Sequence, residues 1–195
     1  LPLVKPKGKS VEHGMQLSDD FRGSNLGSQW STIQNYDRSK FTVFDESLNI
    51  KCDGEFPNQV YPLVLMPQNN FYEIQAEITA PKGTEGGVLF YFNSNYYAGM
   101  SLEDGNVYLL SSKGGKTRYA EGLGKSVWLK IVNDPHDLLC YWSVDGEEWI
   151  RADFVRDLSG FHHNALSDWG VLRPGLFGSG KGVVQVKYFK YLGLE

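Results

Sequence analysis

The chain has 195 residues, a formal net charge of -4 and 14% aromatic side chains, a length that fits one domain burying roughly 70% of its unfolded surface. The acidic balance sets nucleic acid aside as a partner, because affinity for phosphate is built on clustered Lys and Arg that release counterions. No apolar run approaches the roughly 20 residues that cross a bilayer, and the N-terminal stretch lacks the charged-then-apolar order of a signal peptide. The expectation is therefore a soluble chain with no membrane partner, any export signal having been removed or lying on a larger precursor.

Residues 1–16 carry Pro2, Pro6, Gly8, Lys5, Lys7 and Lys9 with no apolar period, the pattern of a linker or extended arm. A single domain is expected over residues 17–195. Its first ordered element should lie around Leu17-Ser-Asp-Asp-Phe21, and after a Gly/Ser/Asn-rich turn Leu26-Gly-Ser-Gln-Trp30 continues it, with Phe21, Leu26 and Trp30 as core anchors. From there, strand-like runs recur at short intervals: 41–44, 48–52, 60–66, 71–79, 87–93, 96–102, 107–111, 127–133, 138–144, 171–177 and 183–192. The run 71–79 alternates cleanly, with Tyr72, Ile74, Ala76 and Ile78 on one face and Glu73, Gln75, Glu77 and Thr79 on the other. Turn pairs separate the runs: Asp104-Gly105, Gly114-Gly115, Asp134-Pro135 and Asp145-Gly146. The Gly178-Ser-Gly-Lys-Gly182 piece lacks phosphate-loop spacing and reads as a hairpin turn. No segment sustains a 3.6-residue apolar period with caps, so the fold class is all-β: two packed antiparallel sheets in a jelly-roll sandwich.

Alternation also assigns faces. Leu129 and Ile131 alternate with Lys130, and Leu138, Cys140, Trp142 and Val144 alternate with Tyr141 and Ser143, so the set lacking Lys and Ser packs inward. Trp142 is then core, while Trp128, Lys130, Tyr141 and Ser143 share an outward face. Cys52 and Cys140 both fall on core-facing positions and read as small buried hydrophobes. Two cysteines do not fix the redox compartment; a secreted or periplasmic setting is favoured.

Chemically able groups are concentrated between Phe161 and Phe177, where His162, His163, Asn164, Asp168, Trp169 and Arg173 sit in a loop marked by Gly170, Pro174 and Gly175. Adjacent histidines in an extended segment point to opposite sides, so His162 and His163 do not read as a metal pair. Glu73 and Glu77 share a strand face, but four residues of strand span about 13 Å, and glycosidase carboxylates sit about 5 to 9.5 Å apart. No nucleophile motif and no catalytic acid pair emerge. Asp19 and Asp20 precede the first core aromatic, a place where turn capping is the common use of acids and a structural calcium the alternative; no other cofactor is required. A sugar site needs flat aromatic faces and planar side chains with paired donors and acceptors. The residues left outside the core that fit are Asn93, Tyr97, Trp128, Tyr141, His162, His163, Asn164, Trp169 and Arg173, a set that would suit a protein neighbour equally well.

The ordered series Leu17-Ser-Asp-Asp-Phe21, Leu26-Gly-Ser-Gln-Trp30, Gly87-Val-Leu-Phe-Tyr-Phe-Asn93, Tyr96-Tyr-Ala-Gly99, Leu129-Lys-Ile-Val-Asn-Asp134, Tyr141-Trp-Ser-Val-Asp-Gly-Glu-Glu-Trp149, Phe161-His-His-Asn164, Leu172-Arg-Pro-Gly-Leu-Phe177 and Tyr188-Phe-Lys-Tyr191 resembles the C-terminal sandwich module of glycoside hydrolase family 43, the β-xylosidase and α-arabinofuranosidase type. The resemblance implies a concanavalin A-like fold without its own catalytic centre, since that family's hydrolytic acids lie in an N-terminal propeller for which this chain has no room. It also implies one of two roles: contact with xylan- or arabinan-type oligo- and polysaccharides, or docking on an N-terminal catalytic domain whose pocket the module helps to shape. In the second role residues 161–164 would be the loop sent toward that pocket. An independent sandwich glycosidase is the remaining, weaker alternative.

Overall fold

A computed structural model describes residues 16–194 except 35, 135 and 167–169. Its strands are β1 (Phe41–Phe44), β2 (Ser47–Gly54), β3 (Leu63–Val64), β4 (Phe71–Thr79), β5 (Thr84–Asn93), β6 (Tyr96–Glu103), β7 (Asn106–Ser111), β8 (Gly115–Ala120), β9 (Ser126–Asp134), β10 (Asp137–Ser143), β11 (Ile150–Asp157) and β12 (Arg173–Leu194). All pairings are antiparallel, in the order β11-β10-β9-β4-β12-β5-β6-β7-β8, with β2 and β3 adding to β12 and β1 to β2. Among the described residues the sole helical element is one 3-10 turn, Arg38–Lys40.

The path folds into two layers because β12 belongs to both. Its first part pairs with β5 and its last part with β4. We call β11-β10-β9-β4-β12 the front sheet and β12-β5-β6-β7-β8 the back sheet. Between them lies one apolar core. Tyr72, Ile74, Ala76 and Ile78 of β4 and Leu129 and Ile131 of β9 face Val88 and Phe90 of β5, Met100 and Leu102 of β6 and Leu109 of β7, all buried. Each such side chain contributes roughly 1.5–3 kcal/mol by leaving water. The alternation that marked 71–79 thus sets which side of the front sheet is inside. Trp142 is in the core as expected, and Cys52 and Cys140 are buried free thiols whose pKa values burial pushes up.

The tight hairpins follow their turn chemistry. Asp104 and Gly105 join β6 to β7 with φ of 47° and 76°, and Asp45 and Glu46 join β1 to β2 with φ of 54° and 50°, the paired positive values of a turn whose twist matches the strands. The expected Asp134-Pro135 turn falls partly outside the described residues.

Four sequence readings need correction, the first being Val144, which was expected to pack inward with Trp142 but lies in the turn beyond β10 and is 67% exposed. Residues 178–182 are no hairpin: they lie inside β12, where Gly180 pairs with both Gly54 and Thr84. Gly180 and Gly182 take φ of 94° and 149°, and there the strand passes from one sheet to the other; glycine supplies this bend because it carries no Cβ. β8 and β11 were not foreseen. They form the two edges of the strand order, and their polar residues, Lys116, Thr117 and Arg118 or Arg151, Asp153 and Arg156, hide the alternation as edge strands commonly do. Of the run 60–66, only Leu63–Val64 forms a strand.

A second apolar cluster covers the outer side of the back sheet: Ile33, Val64, Leu89, Tyr91, Leu110 and Phe177, with Phe56 and Tyr61 packed over it. The outer side of the front sheet has no such cover among the described residues.

Candidate functional site

The open front face is organised in cross-strand rows. One runs Lys190, Gln75, Lys130, Tyr141, Arg151 across β12, β4, β9, β10 and β11, and the next runs Lys187, Glu77, Trp128, Ser143. Trp128 and Tyr141 therefore share the face that alternation assigned them. The Lys130 ammonium sits 4.9 Å from the Tyr141 ring centroid and 4.2 Å from that of Trp149, held between two aromatic faces by their quadrupoles.

A bulge adds the aromatic that the sequence did not reveal. The register of β12 shifts between Lys187 and Lys190, and Tyr188 takes φ of 51°. Val184, Val186 and Phe189 point into the core while Tyr188 turns out, which is what an extra residue in one strand does. Its ring stacks on Trp128 with centroids 5.8 Å apart and planes 12° from parallel, and Tyr188 remains 46% exposed. Trp128 is enclosed from another direction by Gly146, where a Cβ would come within 2.9 Å of the indole. Ser143, on the same face, is nonetheless buried, because the turn after it folds back. Its Oγ donates to Asp145 Oδ1 at 2.8 Å and accepts from the Gly146 N–H at 2.9 Å. The Asp145 carboxylate also accepts the N–H groups of Glu147 and Glu148, which hold its pKa below the usual range.

Trp128, Tyr188, Gln75 and Lys190 form one wall of a cleft of about 870 Å³. The other wall comes from residues 16–29, including Asp19, Asp20, Asn25 and Gln29. Sequence reasoning treated the acids and Trp128 separately; the bridge from Asp19 to Phe189 brings them together. Asp19 acts as a knot: Oδ1 accepts the Phe21 N–H at 2.9 Å, and Oδ2 accepts Gln29 Nε2 at 3.0 Å and Trp30 Nε1 at 2.8 Å. Both of its oxygens are thus engaged by the protein. Asp20 accepts the Arg22 N–H and pairs with its guanidinium at 3.6 Å. Among the described residues no group of three or more His, Cys, Asp or Glu is placed to hold a metal ion.

The remaining predicted residues lie elsewhere. Arg173, Tyr91 and Tyr97 form a row on the outer side of the back sheet. Tyr97 is half-buried and meets Phe56 edge-on at 4.9 Å, and burial pushes the neighbouring Tyr91 pKa up to about 12. Asn93 ends β5 and accepts the Asn95 N–H in the turn. His162, His163 and Asn164 are exposed in a loop anchored by buried Phe161, which packs on Tyr96 at 5.7 Å. His162 Nδ1 accepts the Asn164 N–H at 3.2 Å and the two imidazoles stand 6.4 Å apart, nearly perpendicular. Trp169 and Asp168 lie outside the described residues. The eight candidates among the described residues are therefore split among the front face, the back sheet and the 161–164 loop.

The back sheet also carries a facing pair of carboxylates. Glu85 and Glu103 face each other across β5 and β6, and Lys116 Nζ bridges them at 2.8 and 2.6 Å. Ser101 Oγ donates to Glu85 at 2.6 Å.

The family model for the β-xylosidase C-terminal concanavalin A-like domain matches residues 18–191. The chain belongs to that family. Solved structures with the same fold include the glycoside hydrolase family 43 protein BlXynB from Bacillus licheniformis, with a TM-score of 0.82 at 18% identity over 97% of this chain and 41% of that one. Xylan β-1,4-xylosidase from Bacillus halodurans C-125 aligns with a TM-score of 0.75 at 17% identity over 98% of this chain and 40% of that one. The xyloglucan-locus protein GH43B of Bacteroides ovatus gives 0.79 at 13% identity over 96% and 41%. The chain thus spans about two fifths of the length of those chains. No curated protein sequence matches it. Tyr188, Gln75, Lys190, Arg151 and Trp149 are the surface residues of the domain that sequence reasoning missed as site candidates. The one available signal was Ser143-x-Asp145-Gly146-x-x-Trp149, which sets Trp149 just beyond the turn that closes over Trp128.

Proposed function

We propose that this domain is a noncatalytic accessory module of a plant-polysaccharide hydrolase and that its front face contacts xylan- or arabinan-type sugars. The observation that carries the reading is the cleft whose one wall holds Tyr188 on Trp128 beside Gln75 and whose other wall holds Asn25 and Gln29, which offers apolar ring faces beside planar donor–acceptor groups as sugar hydroxyls require. The relatives reported above, which include a xylan β-1,4-xylosidase, support the choice of sugar. The noncatalytic part is supported by the carboxylates: Asp19 is engaged by three donors, and Glu85 and Glu103 are clamped by Lys116.

Calorimetric titration with xylohexaose is expected to give binding whose affinity falls ~10-fold in Tyr188→Ala, the loss of one stacked aromatic of about 1.4 kcal/mol. No heat at millimolar sugar would sink the reading, and turnover of aryl xylosides by the purified chain would overturn its noncatalytic part.

A second reading, docking on a catalytic domain, is favoured by one observation. The row Leu192, Glu73, Val132, Leu139, Val155 crosses the same face, and Leu192 and Val155 are 44% and 49% exposed. A domain that buried this row against a partner would show no affinity for free sugar but would bind a separately produced propeller.

A further inference from the structure

We propose that the front face selects acidic polysaccharide, recognising the carboxylate of a uronic acid branch on a sugar chain that crosses the strands from β12 to β11. The inference rests on the sugar reading above and adds the chemical class of the ligand.

The row Lys190, Gln75, Lys130, Tyr141, Arg151 places three cations on alternate strands. Adjacent strands lie about 4.8 Å apart, so successive cations stand about 10 Å apart, with a planar amide and an aromatic ring in the gaps. None of the three makes a side-chain hydrogen bond or ion pair among the described residues. Several other basic residues are paired instead. Lys40 and Lys116 are paired with Asp53, Glu85 and Glu103, and Arg118 with Glu121. Lys130 is moreover fixed in place over Tyr141 and Trp149, so its ammonium is positioned with three donors unused.

Acidic neighbours do not cancel the row. Glu73 Oε1 accepts Gln75 Nε2 at 3.2 Å, and Glu77 Oε1 accepts Ser126 Oγ at 3.1 Å and lies opposite Lys187, a fourth cation on the face. Lys190 belongs both to the row and to the cleft wall. A chain whose neutral rings sit on Tyr188 would therefore carry its branches over Lys130 and Arg151. Nucleic acid fits less well, because a chain of net charge -4 with one short cation row lacks the extended positive field that phosphate tracking uses.

The test compares two ligands of equal backbone length on the 195-residue chain: a neutral xylo-oligosaccharide and the same oligosaccharide with one glucuronic acid branch. At low salt the acidic ligand is expected to bind ~10-fold tighter, and the ratio should shrink as ionic strength rises past about 0.15 M, where screening reaches about 8 Å. In Arg151→Met, which lies outside the cleft wall, the ratio should fall at least 3-fold while neutral affinity changes less than about 2-fold, and circular dichroism should remain that of the parent. Equal binding of both ligands by the parent overturns the proposal and leaves the sugar reading standing. Binding of neither removes both. Competition by dextran sulfate as strong as by the branched ligand also overturns it, since that is plain cation exchange.

Discussion

The two outer faces of the sandwich were built for different ends. The back face is sealed by its own chain: Leu89, Tyr91 and Phe177 are at most 2% exposed under Phe56 and Tyr61, and Glu85, Lys116 and Glu103 are joined in a clamp. The front face carries aromatics and cations of the same kinds, yet Tyr188 is 46% exposed and Lys130, Lys190 and Arg151 are unpaired among the described residues. Identical residue types thus hold the fold on one side and remain free for contact on the other. What separates them is whether a loop covers them.

Substitutions should report that contrast. Phe177→Ala removes a fully buried ring that packs on Phe56 at 4.5 Å and is expected to cost about 3–5 kcal/mol, read in urea unfolding, with little effect on ligand affinity per folded molecule. Asp19→Ala strips the acceptor from Trp30 Nε1, Gln29 and the Phe21 amide and should cost about 2 kcal/mol. It also tests whether the cleft wall is held by that knot, because sugar heat should fall together with stability. A stable Asp19→Ala protein with intact binding would separate the wall from the knot.

Lys116→Met should cost about 1 kcal/mol or less at neutral pH. Burial lowers the Lys116 pKa, but hydrogen bonds and charge attraction from Glu103 and Glu85 outweigh it and leave the ammonium above its ordinary value. The clamp therefore contributes fully below the unfolded value of about 10.4 and is lost as pH rises through the higher folded value. Unfolding measured above about pH 10.4 should show the parent and Lys116→Met converging. Smallest of all, Tyr188→Ala should shift stability by no more than about 0.5 kcal/mol while weakening sugar binding; a large loss of stability instead would make Tyr188 part of the core.

Alternation carried most of what was legible beforehand. It gave the inner faces of β4, β9 and β10 and set Trp128, Lys130 and Tyr141 together on one outer face, because period-two burial is the physical cause of the pattern. Where that cause fails, so does legibility. β8 and β11 bury too little to alternate. Tyr188 has the parity of Val184 and Val186 and is turned outward by a bulge that no periodicity encodes. The glycines of residues 178–182 are equally at home in a hairpin and in a bent strand, and only pairing with both β2 and β5 distinguishes the two. The wall of the cleft from residues 16–29 depends on a contact between the two ends of the described chain, the longest-range kind of information in the molecule.

β12 follows every other strand in the chain and pairs with β2, β3, β4 and β5. Neither layer can be completed until it emerges, so the pairings that join the two layers are the last to become available during synthesis. Closure is then a single late event of high sequence separation, which is slow by nature. The strand that joins the layers also sets the moment at which the domain becomes safe from aggregation.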